Sequence, residues 1–247
     1  MKVDLFAVMY NEEFMLPYFL RHYEKFVDRI FVWNDDSTDR TLEILQSHPK
    51  VTVLPMEVHG DNDPYWITSL YPQYEQLSRN IADYVICADT DEFIYHPDIL
   101  SILEQEKEKG TQVIYCKGYT MISENLPVTT GQIYEEIKLG LPDKLESKWT
   151  IHSPDIHIRH RKGRHSAPHI QGEFIANPAT GIKLLHYRFI SETYFEYRNK
   201  INRDRLMLSF PGCNPVRKRT MPDRSRDDPL KWFREHKDQA VNVVDDL

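Results

Sequence analysis

Asp83-Tyr84-Val85-Ile86-Cys87-Ala88-Asp89-Thr90-Asp91-Glu92-Phe93 is the stretch on which the fold turns. Tyr84 to Ala88 is an apolar run of strand length that ends in carboxylates. Asp89 and Asp91, one residue apart beyond a strand, concentrate negative charge where water still reaches. Hard oxygen donors of this kind suit Mg2+ or Mn2+, which commonly take one or two carboxylates and leave other positions to water and phosphate. A bare D-x-D is weak by itself, because the solvated acids of a strand-to-turn transition read the same way.

The same arrangement occurs twice upstream. Val3 to Met9 reads as a strand that stops at Tyr10-Asn11-Glu12-Glu13, and Arg29 to Trp33 as one that stops at Asn34-Asp35-Asp36-Ser37-Thr38-Asp39. Leu16, Phe19, Leu20, Tyr23 and Phe26 form a helical stripe after the first. Thr41 to Leu45 resumes helical spacing after the second, with Ser37 and Asp39 equally suited to helix capping. Val51 to Leu54 is a third strand, and a helix is expected around 71–82. This alternation predicts an α/β fold with a mainly parallel sheet flanked by helices. Parallel sheets bind ligands at the carboxyl ends of their strands, where all three polar clusters fall.

The pattern changes after residue 97. A helix from Asp98 to Lys109 closes on Gly110, a strand covers Thr111 to Lys117, and 123–147 is rich in loops. Short strands joined by basic turns fill 151–182. Ser191 to Met207 reads as a helix anchored by Tyr194, Phe195 and Tyr197. The expected organisation is one domain over 1–210 in two halves (1–97 and 98–210), then a basic Pro- and Arg-rich tail (211–247).

The chain has 247 residues, enough for one buried core, and its 40% hydrophobic and 28% charged composition is that of a globular protein. No apolar run approaches the ~20 residues of a membrane helix. Asp4 stands where a signal peptide would turn apolar, and Cys87, Cys116 and Cys213 form no disulfide framework, so a reducing cytoplasm is expected. The net charge of −7 hides a split. Residues 1–147 carry 12 Lys+Arg against 26 Asp+Glu, whereas 148–247 carry 19 against 12. An acidic half suited to a metal beside a basic half suited to anions is one reading; two differently solvated surfaces is the other.

In order and spacing these stretches resemble the GT-A fold glycosyltransferases, most closely the short bacterial branch of the family 2-like enzymes. The match runs from Val8-Met9-Tyr10-Asn11-Glu12 through Phe31 to Asp39 and Asp83 to Phe93. It continues through Pro72-Gln73, Lys148, Leu185-His186-Tyr187-Arg188, Ser191 and Lys200, spanning roughly residues 3–203. The resemblance implies a glycosyltransferase that moves a sugar from a nucleotide-sugar, a UDP-sugar first among them, to a hydroxyl of a glycan or lipid-linked acceptor. It also implies inversion and bacterial surface-polysaccharide synthesis. Asn34, Asp35 and Asp36 would hold the nucleoside, with Asn11, Glu12 and Gln73 bordering the pocket. Asp91 would ligate Mn2+ or Mg2+, with Asp89 near the donor ribose and sugar as well as the metal. His186 would reach metal or diphosphate, and Lys148 and His165 would contact diphosphate.

An inverting transferase needs a carboxylate base for the acceptor hydroxyl. Glu124, Asp155 and Glu173 are candidates, and so is Glu135; Glu124 is preferred because it follows a strand. His152, His157, His160, His165 and His169 lack zinc-ligand spacing and read as a basic loop. An aspartyl-phosphate phosphohydrolase is the rival enzyme reading, disfavoured by Phe93 two places past Asp91. A non-catalytic nucleotide- or sugar-binding protein of the same fold is the other. Nucleic acid is not an expected partner, since the acidic half would repel it. Arg217, Lys218, Arg219, Arg224, Arg226 and Lys231 to Arg234 suggest peripheral contact with the inner face of a cell membrane.

Overall fold

The computed structural model describes residues 1–59, 66–159, 169–170, 172–209 and 230–245. Strand β1 (Val3–Met9) is buried along its whole length. Its side chains alternate between two cores: Val3, Leu5, Ala7 and Met9 enter one, Phe6 and Val8 the other. A strand covered on both faces belongs to the middle of a layered α/β sheet. It pairs in parallel with β2 (Arg29–Asn34) on one side and β4 (Tyr84–Cys87) on the other, and β2 pairs in parallel with β3 (Val51–Leu54). The resulting order is 3-2-1-4. Sheet growth therefore reverses between β1 and β4, and that switch point opens a crevice beyond the strand carboxyl ends.

Helix α1 (Leu16–Tyr23) lays Leu16, Phe19, Leu20 and Tyr23 on the first core, joined by Leu103 of α3 (Ile99–Glu108). Phe26 of the predicted stripe lies one turn beyond α1 and still packs there. The short helix α2 (Thr41–Ser47) connects β2 to β3. The opposite face is covered by Leu70, Tyr71 and Tyr74 with Ile156 and Ile158. Here the expected continuous helix over 71–82 is absent. The chain makes a π turn at Trp66–Leu70, a 3-10 turn at Tyr71–Gln73 and one α turn at Tyr74–Leu77. Pro72 lacks the N–H that a longer helix would need at that point. Tyr74 instead ties the turn down by its hydroxyl, which donates to Ile156 O and accepts from Ile158 N.

The second half extends the sheet with mixed direction. Its strands are β5 (Glu92–Tyr95), β6 (Val113–Ile122), β7 (Leu139–Pro142) and β8 (Lys148–His152). They are followed by β9 (Ile158–Arg159), β10 (His169–Ile170), β11 (Ala176–Asn177) and β12 (Lys183–Phe189). Strand β8 inserts antiparallel between β4 and β6, so β6 runs with β4. Strand β12 lies parallel to β6 and antiparallel to β5. Most strands share the direction of β1. The expected α/β class with a mainly parallel sheet is what the structure shows.

Helix α4 (Glu192–Ser209) leaves the carboxyl end of β12 and is followed, among the described residues, by α5 (Lys231–His236) and β13 (Val241–Asn242). Residues 230–245, placed in the tail by sequence, lie against the domain. Strand β13 pairs with β7, Val243 and Val244 enter the core, and Phe233 packs on Phe189 and Phe195. Arg234 pairs with Glu192. Arg217, Lys218, Arg219, Arg224 and Arg226 lie outside the described residues. No described helix is long and apolar enough to cross a membrane.

Candidate functional site

The crevice at the β1/β4 switch point collects the acids predicted from sequence. Glu12 follows β1, Asn34 closes β2 with Asp35 and Asp36 after it, and Asp89 to Asp91 link β4 to β5. Asn11 and Asp36 both adopt left-handed backbone (φ 52° and 50°), which turns the chain sharply off the strand ends. Asn11 spends its side chain within this turn: Oδ1 accepts from Thr38 N at 2.7 Å, and its own N–H donates to Ser37 Oγ at 3.0 Å. Asp39 accepts from Thr41 N and Glu13 N. Asn11, Ser37 and Asp39 thus stitch the two loops together.

His186 stands in β12 opposite Glu92 of β5 and Thr120 of β6. Its Nε2 is 3.3 Å from Asp91 Oδ2, and its Nδ1 is 2.9 Å from Glu146 Oε2. Glu146 lies off the Nδ1–H direction, so that contact is a close charge pair rather than a straight hydrogen bond. Burial alone would lower the imidazole, but Glu146 and Asp91 outweigh it and push His186 well above its usual range. Burial would likewise raise the two acids. His186 holds both below the ordinary carboxylate range, helped at Asp91 by Arg198 and Arg188 and at Glu146 by Lys148 and Arg188.

Lys148 faces inward. Its Nζ pairs with Glu92 Oε1 and lies 3.7 Å from Asp89 Oδ2, and the Lys148 side chain is only 2% exposed. Asp89 is half exposed at the crevice, and its N–H donates to Glu92 Oε2.

Two arginines of α4 pair with the acids that follow β1 and β2. Arg198 Nη2 donates to Glu12 Oε1 at 2.6 Å, and Nη1 reaches Asn11 O at 3.4 Å. Arg205 Nε donates to Asp35 Oδ2 at 2.6 Å, with its guanidinium 4.5 Å from the Trp66 ring centre and 5.4 Å from that of Tyr10. His59 Nδ1 lies 3.1 Å from Asp35 Oδ1 and 3.3 Å from Asp36 Oδ2. Glu12 is buried, with Oε2 lacking any hydrogen bond. Desolvation raises its carboxyl to about 7 despite the opposing pull of Arg198. Asn34 Oδ1 is also buried without a partner.

The structure thus brings Glu12, Asp35, Asp36, Asp89, Asp91 and His186 to one end of the sheet. Gln73 lies in the 3-10 turn and donates to Ser69 O. Glu124 follows β6 at the same end, exposed and paired with Lys237 Nζ. Asp155 follows the antiparallel β8, and Glu173 precedes β11, which pairs with the start of β6. Both lie at the opposite edge of the sheet, away from the crevice. Glu135 is bound into a capping turn by Gln132 N. His165 lies outside the described residues, as does His160.

Arg198, Arg205, His59 and Glu146 were not singled out from sequence. The two arginines did leave a signal. Tyr194, Arg198, Ile201 and Arg205 follow one helical face, and the first, third and fourth are buried. Cations on a core-facing stripe require buried counter-charges. Glu146 sits in a loop with no periodicity and gave none.

The donor chemistry fits a divalent cation. Two ligands cis on a six-coordinate ion with bonds of about 2.1 Å stand about 3 Å apart. Asp91 Oδ2 and His186 Nε2 stand 3.3 Å apart as an ion pair, so a cation held between them would have to displace the imidazole proton that now faces Asp91, and Asp89 is half exposed at the crevice. Among the described residues no group of three or more His, Cys, Asp or Glu side chains is placed to hold a metal ion. Asp91 and His186 by themselves would leave the other positions of such an ion to water and phosphate.

No protein-family model and no curated protein matches the chain. Among solved structures, S. aureus TarS 1-349 in complex with UDP is similar at 15% identity over 97% of this chain and 72% of that one, with a TM-score of 0.47. TarS 1-349 in complex with UDP-GlcNAc is similar at 19% identity over 62% and 46%, with a TM-score of 0.40. The chain spans about half the length of the first structures it matches.

Proposed function

We propose that the protein is a nucleotide-sugar-dependent glycosyltransferase, with a UDP-sugar as the first donor to test. One observation carries this reading. At the β1/β4 switch point, a D-x-D pair and His186 stand beside a carboxylate-lined crevice that is roofed by Arg198 and Arg205. Transfer from such a donor expels a nucleoside diphosphate, whose growing charge needs cations fixed in place beforehand.

Asp91 and His186 would hold Mn2+ or Mg2+, with Asp89 beside them, and the ion would supply Lewis-acid stabilisation of the departing diphosphate. The chain's own residues do the rest. Exposed Asp36 offers an acceptor to a base or ribose, and buried Asp35 beside it holds the Arg205 guanidinium against the rings of Tyr10 and Trp66. Arg198 adds positive charge next to Asp91. Glu124 is the base candidate at the crevice end of the sheet. It must part from Lys237 to take a proton from an acceptor hydroxyl, and in that role it supports inversion. The acceptor, a glycan or lipid-linked glycan of surface-polysaccharide assembly, and a membrane-face location through the basic tail belong to the same proposal.

Calorimetry with UDP in Mn2+ or in EDTA tests the reading. Metal-dependent UDP binding that Asp91→Ala abolishes is the expected result. Undiminished binding in that variant, or hydrolysis of aryl phosphates in place of sugar transfer, would overturn it.

A further inference from the structure

Gly118 sits in the interior of β6, where glycine ordinarily weakens a strand and marks the close approach of another backbone. The approaching chain is the turn at 143–147. A Cβ at residue 118 would collide with the backbone of Glu146 and Ser147. The turn is held down on that glycine: Gly118 N donates to Ser147 Oγ at 2.9 Å, and Asp143 N donates to Gly118 O at 2.9 Å. Thr120 Oγ1 adds a bond to Asp143 Oδ2 at 3.0 Å. This docking delivers the Glu146 carboxylate into the protein interior, only 6% exposed, against the far nitrogen of His186.

His186 is thereby flanked on both ring nitrogens by acids from different elements. Asp91 is fixed independently, because its carbonyl accepts from Tyr187 N at 2.8 Å. A histidine that ligates a metal through one nitrogen characteristically gives the other to a carboxylate, which fixes the ring's orientation and tautomer. We infer that Glu146 is the positioning residue for His186: its charge, 2.9 Å from Nδ1, favours the proton on that nitrogen and the ring orientation in which Nε2 faces Asp91 and the cation these two residues would share. The inference rests on the metal-site reading above. It assigns a role to a residue that touches neither donor nor metal, and it gives Gly118 a purpose: only a residue without a side chain admits the turn that carries Glu146.

The test is Mn2+ affinity of the full-length protein, measured by electron paramagnetic resonance without nucleotide. Imidazole 15N shifts of His186 are the second readout. Glu146→Gln is expected to weaken Mn2+ binding 10- to 100-fold and to change the His186 15N pattern, with Glu146→Asp recovering part of both. Gly118→Ala keeps the carboxylate but displaces its backbone, and it is expected to weaken Mn2+ in the same direction. Wild-type affinity and an unchanged His186 15N pattern in a folded Glu146→Gln protein would overturn the inference. A wild-type protein that takes up no Mn2+ would instead refute the metal reading. The 15N comparison would still decide whether Glu146 orients the ring.

Discussion

Replacing Arg198 with Gln tests the charge pairing across the crevice, because Glu12 is buried and Arg198 Nη2 stands 2.6 Å from its carboxylate. The penalty is set by the proton that Glu12 can take up. Its native value is about 7 against an unfolded 4.5, so the native state binds a proton that the unfolded chain has released. Wild-type stability therefore falls as pH rises from 4.5 through 7. At pH 5.5 Glu12 is already neutral, and the variant loses only a hydrogen bond involving a charged donor, about 1.5 kcal/mol. At pH 8 the variant must protonate Glu12 one unit above its wild-type value, which adds about 1.4 kcal/mol. The expected loss is thus about 3 kcal/mol at pH 8, at the low end for a broken buried pair. Urea denaturation at both pH values reads it from the midpoints. Equal losses at pH 5.5 and pH 8 would refute the reasoning, since they would mean Glu12 carries the same charge at both.

Three further outcomes are expected. His22 is buried, and desolvation lowers its imidazole to about 3, so the native state refuses a proton that the unfolded chain accepts below 6.5. Stability is then lost as pH falls through that window, and His22→Phe should narrow its deficit against wild type by about 2 kcal/mol between pH 6 and 4.5 in denaturation curves. Lys148→Met takes the cation away from the buried Glu92 carboxylate and should cost about 3–5 kcal/mol of stability while leaving UDP affinity within threefold by calorimetry. A large fall in UDP affinity at unchanged stability would return Lys148 to the diphosphate. Asp4→Ala removes the acceptor shared by Arg29 and Ser78 at the far end of β1, and a comparable loss of stability is expected with no change in nucleotide binding.

The parallel strands β1 to β4 were legible because each is a short, mostly apolar run followed by polar residues, and the two-sided burial of β1 shows in a run that only Asp4 interrupts. Their carboxyl ends could be placed because a parallel sheet gives all of them one direction. What the sequence hid is partnership. Lys148 looks like any cation near an acidic site, and only the antiparallel insertion of β8 turns it inward toward Glu92. Asp155 and Glu173 stood behind Glu124 as base candidates in the sequence, and strand direction puts them at the edge of the sheet away from the crevice. Glu146 depends on a turn docking on Gly118, a contact between residues 28 apart in sequence with no shared periodicity. The segment 71–82 was misread as one helix because the anchor that decides it, Tyr74 on Ile156 and Ile158, is tertiary.

The pairing of α4 with the strand ends also bears on how the chain is made. Arg198 reaches a carboxylate 186 residues earlier, and Arg205 one 170 residues earlier. A growing chain emerges from its N-terminus at about 5–20 residues per second, so β1 to β4 precede their arginines by several seconds. Through that interval Glu12 and Asp35 have no α4 cation to meet, and the crevice has no roof. Completion of the crevice is therefore a late event of synthesis. A chain that stops short of Arg205 carries the strands of the parallel sheet without the cation that pairs with Asp35.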